Sequence, residues 1–150
     1  EAAVLYEAMR VGASSEAVLG TIHGDGGDAV YERVVSDLGV APSSFGATDL
    51  VVTLEIAGRE RRVRRIEEVV GGEEPTFETL FERTGRGLEP TGRIDRGNSR
   101  FVAGLATPEE SYADVREALT ARQRLVTALA RRDATGGDAV TESHARRERP

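Results

Sequence analysis

The stretch DLVVTLEIAGRERRVRRIEEVV, residues 49–70, decides the fold because it holds two strand-like runs joined by a short turn. Residues 49–57 are rich in Val, Leu, Ile and Thr, a composition that predicts a strand. Gly58 and Arg59 supply a tight turn, and the residues that follow up to Val70 mix polar and apolar side chains. The stretch therefore predicts an antiparallel hairpin.

A second, smaller hairpin is predicted directly after the first. Residues 76–83 and 88–94 have strand composition, and they flank a Thr-Gly-Arg-Gly turn at 84–87. The segment 98–106 predicts a short helix that begins after Asn98 as its N-cap.

The last part of the chain predicts one long helix and a tail. Thr107 is the expected N-cap, Pro108 occupies the first helical position, and Glu110 completes a capping box. A stripe of apolar residues continues to about Arg132: Tyr112, Val115, Leu119, Val126 and Leu129. Residues 133–150 contain almost no large apolar residue, so they are predicted to be disordered.

The segment before the first hairpin predicts a helix, a strand and a second helix. Residues 1–11 have the spacing of an amphipathic helix, and the short apolar run 17–22 predicts a buried strand. From Asp28 the spacing of apolar residues predicts a second helix, with Val30, Val34 and Leu38 on one stripe. Gly39 is the expected C-terminal cap of this helix. Pro42 then begins a short helical turn.

Composition excludes several classes of chemistry. The chain has 150 residues and a formal charge of −6, from 26 acidic and 20 basic residues. Every basic residue is arginine and no cysteine is present. Within these residues there is therefore no phosphate-loop lysine, Schiff-base lysine, disulfide or thiolate nucleophile.

A histidine lies where the predicted strand meets a glycine-rich turn. Thr21, His23, Gly24 and Asp25 lie at the carboxyl end of this strand and before a helix, which is where open α/β sheets present groups to ligands. An imidazole there can donate a hydrogen bond to a phosphate oxygen. The alternative is a partly exposed turn histidine that only packs. The chain has two histidines without metal-ligand spacing, so no metal site is predicted.

The arginine-rich run 59–65 has two interpretations. Guanidinium groups suit phosphate, so the run could bind nucleic acid. Carboxylates follow immediately, no aromatic residue is interleaved, and the chain is net acidic. A solvated strand face paired with neighbouring carboxylates is the favoured interpretation, and no nucleic-acid partner is predicted.

Residues 20–40, GTIHGDGGDAVYERVVSDLGV, resemble the histidine box of the secretion-superfamily ATPases. That family drives type II and type IV secretion, type IV pili and the archaellum. Residues 20–23 match its Gly-Thr-hydrophobic-His run, and Arg33 follows ten residues after the histidine. Residues 1–12 resemble the segment downstream of the family's Walker B motif, with Glu1 matching the last glutamate of its signature. The likeness is strongest to the forms from halophilic archaea.

The resemblance implies an α/β fold, the C-terminal segment of a RecA-type P-loop ATPase core followed by a small β-hairpin and a C-terminal helix. Residues 1–72 would belong to the core, 73–132 to a hairpin-plus-helix appendage, and 133–150 to the disordered tail.

The resemblance also implies the roles of individual residues. His23 would act catalytically at the γ-phosphate, and the nucleotide-binding residues would be Thr21, Gly24, Asp25 and Arg33. ATP and Mg²⁺ are the implied cofactors. The phosphate loop and the Walker B core are expected upstream, so the isolated chain is not expected to be active.

Implied partners are the sister subunits of a homo-hexamer and a membrane platform protein, with a cytoplasmic location peripheral to that machine. The alternative hypothesis is a non-catalytic interaction module that keeps the appendage without the chemistry. The absence of lysine and of a phosphate loop favours this alternative.

Overall fold

A computed structural model describes residues 2–11, 17–134, 136–137 and 141. The chain divides into two compact units, with the boundary between Gly104 and Leu105. Among the described residues, the first unit contains a four-stranded sheet and short helices, and the second contains one long helix. The fold is therefore mixed α/β. None of the helices in this described part is both long and apolar enough to cross a membrane.

The sheet is antiparallel throughout, with its strands in chain order. Its strands are β1 (Leu50–Ala57), β2 (Glu60–Val70), β3 (Thr76–Thr84) and β4 (Gly87–Pro90). Both predicted hairpins are confirmed, because local turn chemistry and strand composition agree at each. The last strand is shorter than predicted, because β4 ends at Pro90 and the residues predicted to continue it to 94 form turns. The predicted domain boundary between residues 72 and 73 lies between the paired strands β2 and β3.

Two bulges interrupt the ladder. Thr53 pairs with Arg65 and Leu54 with Val63, so the extra residue of the first bulge is Arg64 on β2. The second bulge places its extra residue, Leu80, on β3. A bulge bends and twists the strand that carries it. The edge strand β1 is itself continuous.

The first unit has four α-helices among its described residues: α1 (Ala2–Val11), α2 (Gly27–Glu32), α3 (Pro42–Phe45) and α4 (Arg100–Gly104). A π-helical turn, Arg33–Asp37, continues α2. The helices predicted at 1–11, after Asp28 and at Pro42 are confirmed.

Phe45 is the centre of the core. Its side chain is fully buried and its ring contacts three others, at centroid distances of 6.0 Å to Tyr6, 5.1 Å to Tyr31 and 6.2 Å to Phe77. Aliphatic residues complete the buried cluster: Val30, Val34, Val40 and Val51. The cluster joins α1, α2, α3 and the sheet, and burial of large apolar side chains is its main source of stability.

The strand predicted at 17–22 is wrong. Residues 17–24 form neither helix nor strand, and Leu19 is 96% exposed. A strand needs a neighbour to accept its backbone hydrogen bonds, and among the described residues the only sheet is β1 to β4. The apolar run therefore lacks both the pairing and the cover that a buried strand requires.

The apolar stripe predicted from Val30 to Leu38 is only partly correct, because the π-helical turn interrupts it. Val34 is buried as predicted, but Leu38 is 44% exposed. The Leu38 N–H bonds to the carbonyl of Arg33, five residues back, so the turn is wider than an α-helical turn and Leu38 leaves the stripe. Gly39 has φ +68°, and the Val40 N–H then bonds to the Val34 carbonyl and closes the helix end.

Two predicted helix caps are also wrong. The side chain of Ser99, not of Asn98, caps α4, because its hydroxyl oxygen accepts the Val102 N–H in the first helical turn at 3.2 Å. The long helix α5 (Tyr112–Arg131) begins after Ser111 rather than Thr107. Thr107 and Glu110 still bond to each other, but they form a separate turn before the helix.

Two predictions extend outside the described residues. Of the tail predicted at 133–150, the structure describes only a few residues. Glu1, matched to the Walker B signature, also lies outside.

Candidate functional site

The glycine turn before α2 is shaped by packing against the sheet. Gly26 has φ +102°, a backbone conformation that L side chains rarely adopt. Gly27 lies against the ring of Phe77 on β3, and a Cβ atom there would overlap the ring. These two glycines therefore let the start of α2 lie directly on the sheet.

Glu67 already occupies the N-terminus of α2. Its Oε2 accepts the backbone N–H of Gly27 at 3.0 Å, and the carboxylate is almost completely buried. Arg65 holds the other oxygen at 3.3 Å. Anions bind helix N-termini through such N–H groups, and here the anion is a side chain of the same chain.

His23, Gly24 and Arg33 lie together beside α2 and the π-helical turn. They line a surface cleft of about 250 Å³ with Ala29, Glu32 and Asp37. Arg33 forms an ion pair of 3.6 Å with Asp37, and both side chains are well exposed. The structure therefore brings two of the predicted hydrogen-bond donors to phosphate, the imidazole and the guanidinium, to one cleft.

The other predicted site residues lie elsewhere. Asp25 forms an ion pair of 2.8 Å with Arg64 on β2 and does not line the cleft. Thr21 is exposed in the irregular segment before the turn. A second surface depression, of about 580 Å³, is lined by residues of α1 and contains none of the predicted site residues.

The arginine-rich strand is paired with carboxylates, as the favoured interpretation predicted. Arg62 pairs with Glu60 at 2.6 Å, and Arg65 bridges Glu67 and Glu82 at 3.3 and 3.4 Å. Paired guanidinium groups have fewer N–H groups to offer a phosphate backbone.

Glu68 is a second buried carboxylate, beside Glu67, that the sequence did not predict. It has no exposed surface, and its Oε2 accepts the Ser99 hydroxyl at 2.7 Å and the Phe101 N–H at 3.0 Å. Its Oε1 accepts Arg93 Nε at 3.4 Å, and Arg93 also reaches Glu78 at 3.1 Å. The one available signal was a Glu-Glu pair flanked by the apolar residues Ile66 and Val69 within the strand.

The cleft suits one phosphate group better than a whole nucleotide. Its volume of about 250 Å³ is below the roughly 300–1,000 Å³ of typical small-molecule sites. The carboxylates of Glu32 and Asp37 also line it, and they oppose phosphate binding, most strongly for the several negative charges of a nucleotide. Within the described residues, no group of three or more His, Asp or Glu residues is arranged to hold a metal ion. The residues present fit contact with a terminal phosphate but do not fit the magnesium.

Comparisons of the chain with protein-family models, curated proteins and solved structures gave no match.

Proposed function

We propose that the chain is the C-terminal part of a hexameric ATPase that powers protein secretion or the assembly of a type IV pilus or archaellum. The proposal includes a RecA-type P-loop core completed by residues outside this chain. One observation carries it: His23 and Arg33, ten residues apart, line the same cleft with Gly24. This is the arrangement that the histidine-box resemblance requires if both side chains serve one phosphate.

In this proposal His23 donates a hydrogen bond to an oxygen of the terminal phosphate. Arg33 places its positive charge beside the same group, where negative charge grows during phosphoryl transfer. Asp37 lies 3.6 Å from the guanidinium and helps to position it. ATP with Mg²⁺ is the proposed substrate, and the phosphate cradle and the metal ligands belong to residues outside this chain.

The proposed partners follow from the same hypothesis. Sister subunits would form the ring, and a membrane platform protein would receive the work of ATP hydrolysis at the cytoplasmic side. Asp25 has a structural part in this scheme, because its ion pair with Arg64 ties the glycine turn to β2.

The experiment compares His23→Ala with His144→Ala in the full-length protein. His23→Ala should lower kcat by about a hundredfold, the range expected for loss of a group that stabilises transition-state charge. His144 is the only other histidine and lies outside the described residues, so its replacement controls for loss of an imidazole. Unchanged turnover in His23→Ala would remove His23 from the mechanism.

A second candidate is a non-catalytic interaction module, and the position of Glu67 favours it. The carboxylate fills the helix N-terminus that follows the glycine turn, where a phosphate would otherwise bind. The chain also has no lysine for a phosphate loop. The coding sequence before residue 1 separates the candidates: a phosphate loop there supports the motor, and a start codon next to residue 1 supports the module.

A further inference from the structure

Strand β1 forms an outer edge of the sheet and carries an exposed apolar stripe. β2 lies on one side of it, and no strand of the described part of the chain lies on the other. Val52, Leu54 and Ile56 are 49%, 61% and 76% exposed. Because side chains alternate along a strand, these three share one face. We call them the β1 stripe.

This edge lacks the features that usually keep edge strands apart. β1 contains no lysine or proline, and its only charged residue, Glu55, already lies 3.7 Å from Arg83. The bulge next to it has its extra residue on β2, so β1 stays regular. Within the described part of the chain, no strand pairs with the outward backbone N–H and C=O groups of β1, and such groups can pair with another strand.

We propose that β1 pairs with β1 of a second copy of this chain, antiparallel and centred on Leu54. In that register Leu54 lies opposite Leu54 of the second copy, and Val52 lies opposite Ile56 of the second copy. The stripe is thus complementary to itself, because every apolar side chain in it lies opposite an apolar side chain of the second copy. In this register no charged residue of β1 lies opposite a residue of like charge. The proposal does not rest on the ATPase assignment.

The expected association is weak. Three side chains on each copy make a patch well below the roughly 800 Å² per partner of a standard interface. Backbone pairing along one short strand must supply the rest. The dimer should therefore appear only as protein concentration rises.

The test measures sedimentation velocity of the 150-residue chain over a wide concentration range. The unsubstituted chain should show a monomer–dimer equilibrium. Leu54→Lys and Leu54→Glu should each raise the dissociation constant at least about tenfold, because like charges then lie directly opposite. An equimolar mixture of the two variants should recover dimer, since lysine now lies opposite glutamate.

The matched control is Leu19→Lys, which adds the same charge at a residue that is more exposed and lies outside the sheet. It should leave the dissociation constant unchanged. Circular dichroism of all variants verifies that the fold is retained, which the exposure of Leu54 makes the expected result.

Cysteine cross-linking tests the register, since the chain has no cysteine of its own. Leu54→Cys should form a disulfide with itself, and Val52→Cys mixed with Ile56→Cys should cross-link more than either alone. A chain that stays monomeric, a dimer unaffected by Leu54→Lys, or a Lys and Glu mixture without recovery would each overturn the proposal. Recovery of the dimer when the Leu54→Lys and Leu54→Glu variants are mixed would show that the partner at the β1 edge is a second copy of this chain and not a different protein.

Discussion

Glu68 and Ser99 are joined inside the protein by a hydrogen bond of 2.7 Å from the Ser99 hydroxyl to Glu68 Oε2. Ser99 also accepts the Val102 N–H at 3.2 Å, so the hydroxyl links the buried carboxylate on β2 to the start of α4. The position of α4 on the sheet therefore depends on one acidic side chain without any exposed surface.

Replacing Ser99 with alanine should destabilise the first unit by about 1–3 kcal/mol, because Glu68 and the Val102 N–H each lose a buried partner. The free energy of unfolding from urea titration measures this. Glu78→Gln is the control, because Glu78 shares Arg93 with Glu68 but is partly exposed. Equal losses in the two variants would contradict the assignment of Ser99 as the connection.

Adding a methyl group at Gly27 should destabilise the protein by roughly 1–3 kcal/mol, because the new Cβ overlaps the Phe77 ring. Gly20→Ala is the matched control, since a Cβ at Gly20 meets no atom within 4 Å. The double variant Gly27→Ala, Phe77→Ala should lose less stability than the sum of the single variants. Additive losses in this cycle would show that the two residues do not touch.

Val34→Ala should cost about 2 kcal/mol, and Leu38→Ala should cost much less although it removes a larger side chain. Val34 is 2% exposed within the core cluster, whereas Leu38 is 44% exposed after the π-helical turn. Thermal melts of the two variants make the comparison. A regular α-helix would bury both residues, so the opposite order of losses would argue against the π-helical turn.

The cap of α5 predicts a pH dependence. The Ser111 side chain, and then its backbone N–H, hydrogen-bond to Asp114 and hold the pKa of that carboxyl below its usual 3.8. Since the folded pKa is lowered, the cap's contribution to stability is complete above pH 3.8 and is lost as pH falls through the lower folded pKa.

Ser111→Ala should return the pKa of Asp114 towards 3.8, as followed by NMR of the side-chain carboxyl carbon. Thr107→Ala should leave it unchanged, because Thr107 bonds to Glu110 in the preceding turn. A shift of the Asp114 pKa in Thr107→Ala, or none in Ser111→Ala, would contradict the cap at Ser111.

The elements predicted correctly are those that local chemistry determines. Gly58 and the β-branched residues around it specify the first hairpin without help from the rest of the chain. The run 17–22 has similar composition but no strand to pair with, and composition alone does not reveal a missing partner.

The candidate site was predicted only in part. The spacing of His23 and Arg33 was available in the sequence, and the structure places both on one cleft. Glu67 and Glu68 were not recognised, because two adjacent strand residues point to opposite faces and both are buried only if both faces are covered. In the structure α2 covers Glu67 on one face of the sheet and α4 covers Glu68 on the other. This packing depends on tertiary structure, which the local sequence does not reveal.

The aromatic contacts around Phe45 also give the protein an optical reporter. The chain contains no tryptophan and three tyrosines, so no stronger chromophore masks the tyrosine signal. Tyr6 and Tyr31 both contact Phe45 in the first unit, whereas Tyr112 belongs to α5 in the second. Near-ultraviolet circular dichroism should therefore follow mainly the core of the first unit, while the far-ultraviolet helical band includes α5. Recorded together, the two spectra would show whether the units melt in one step or two.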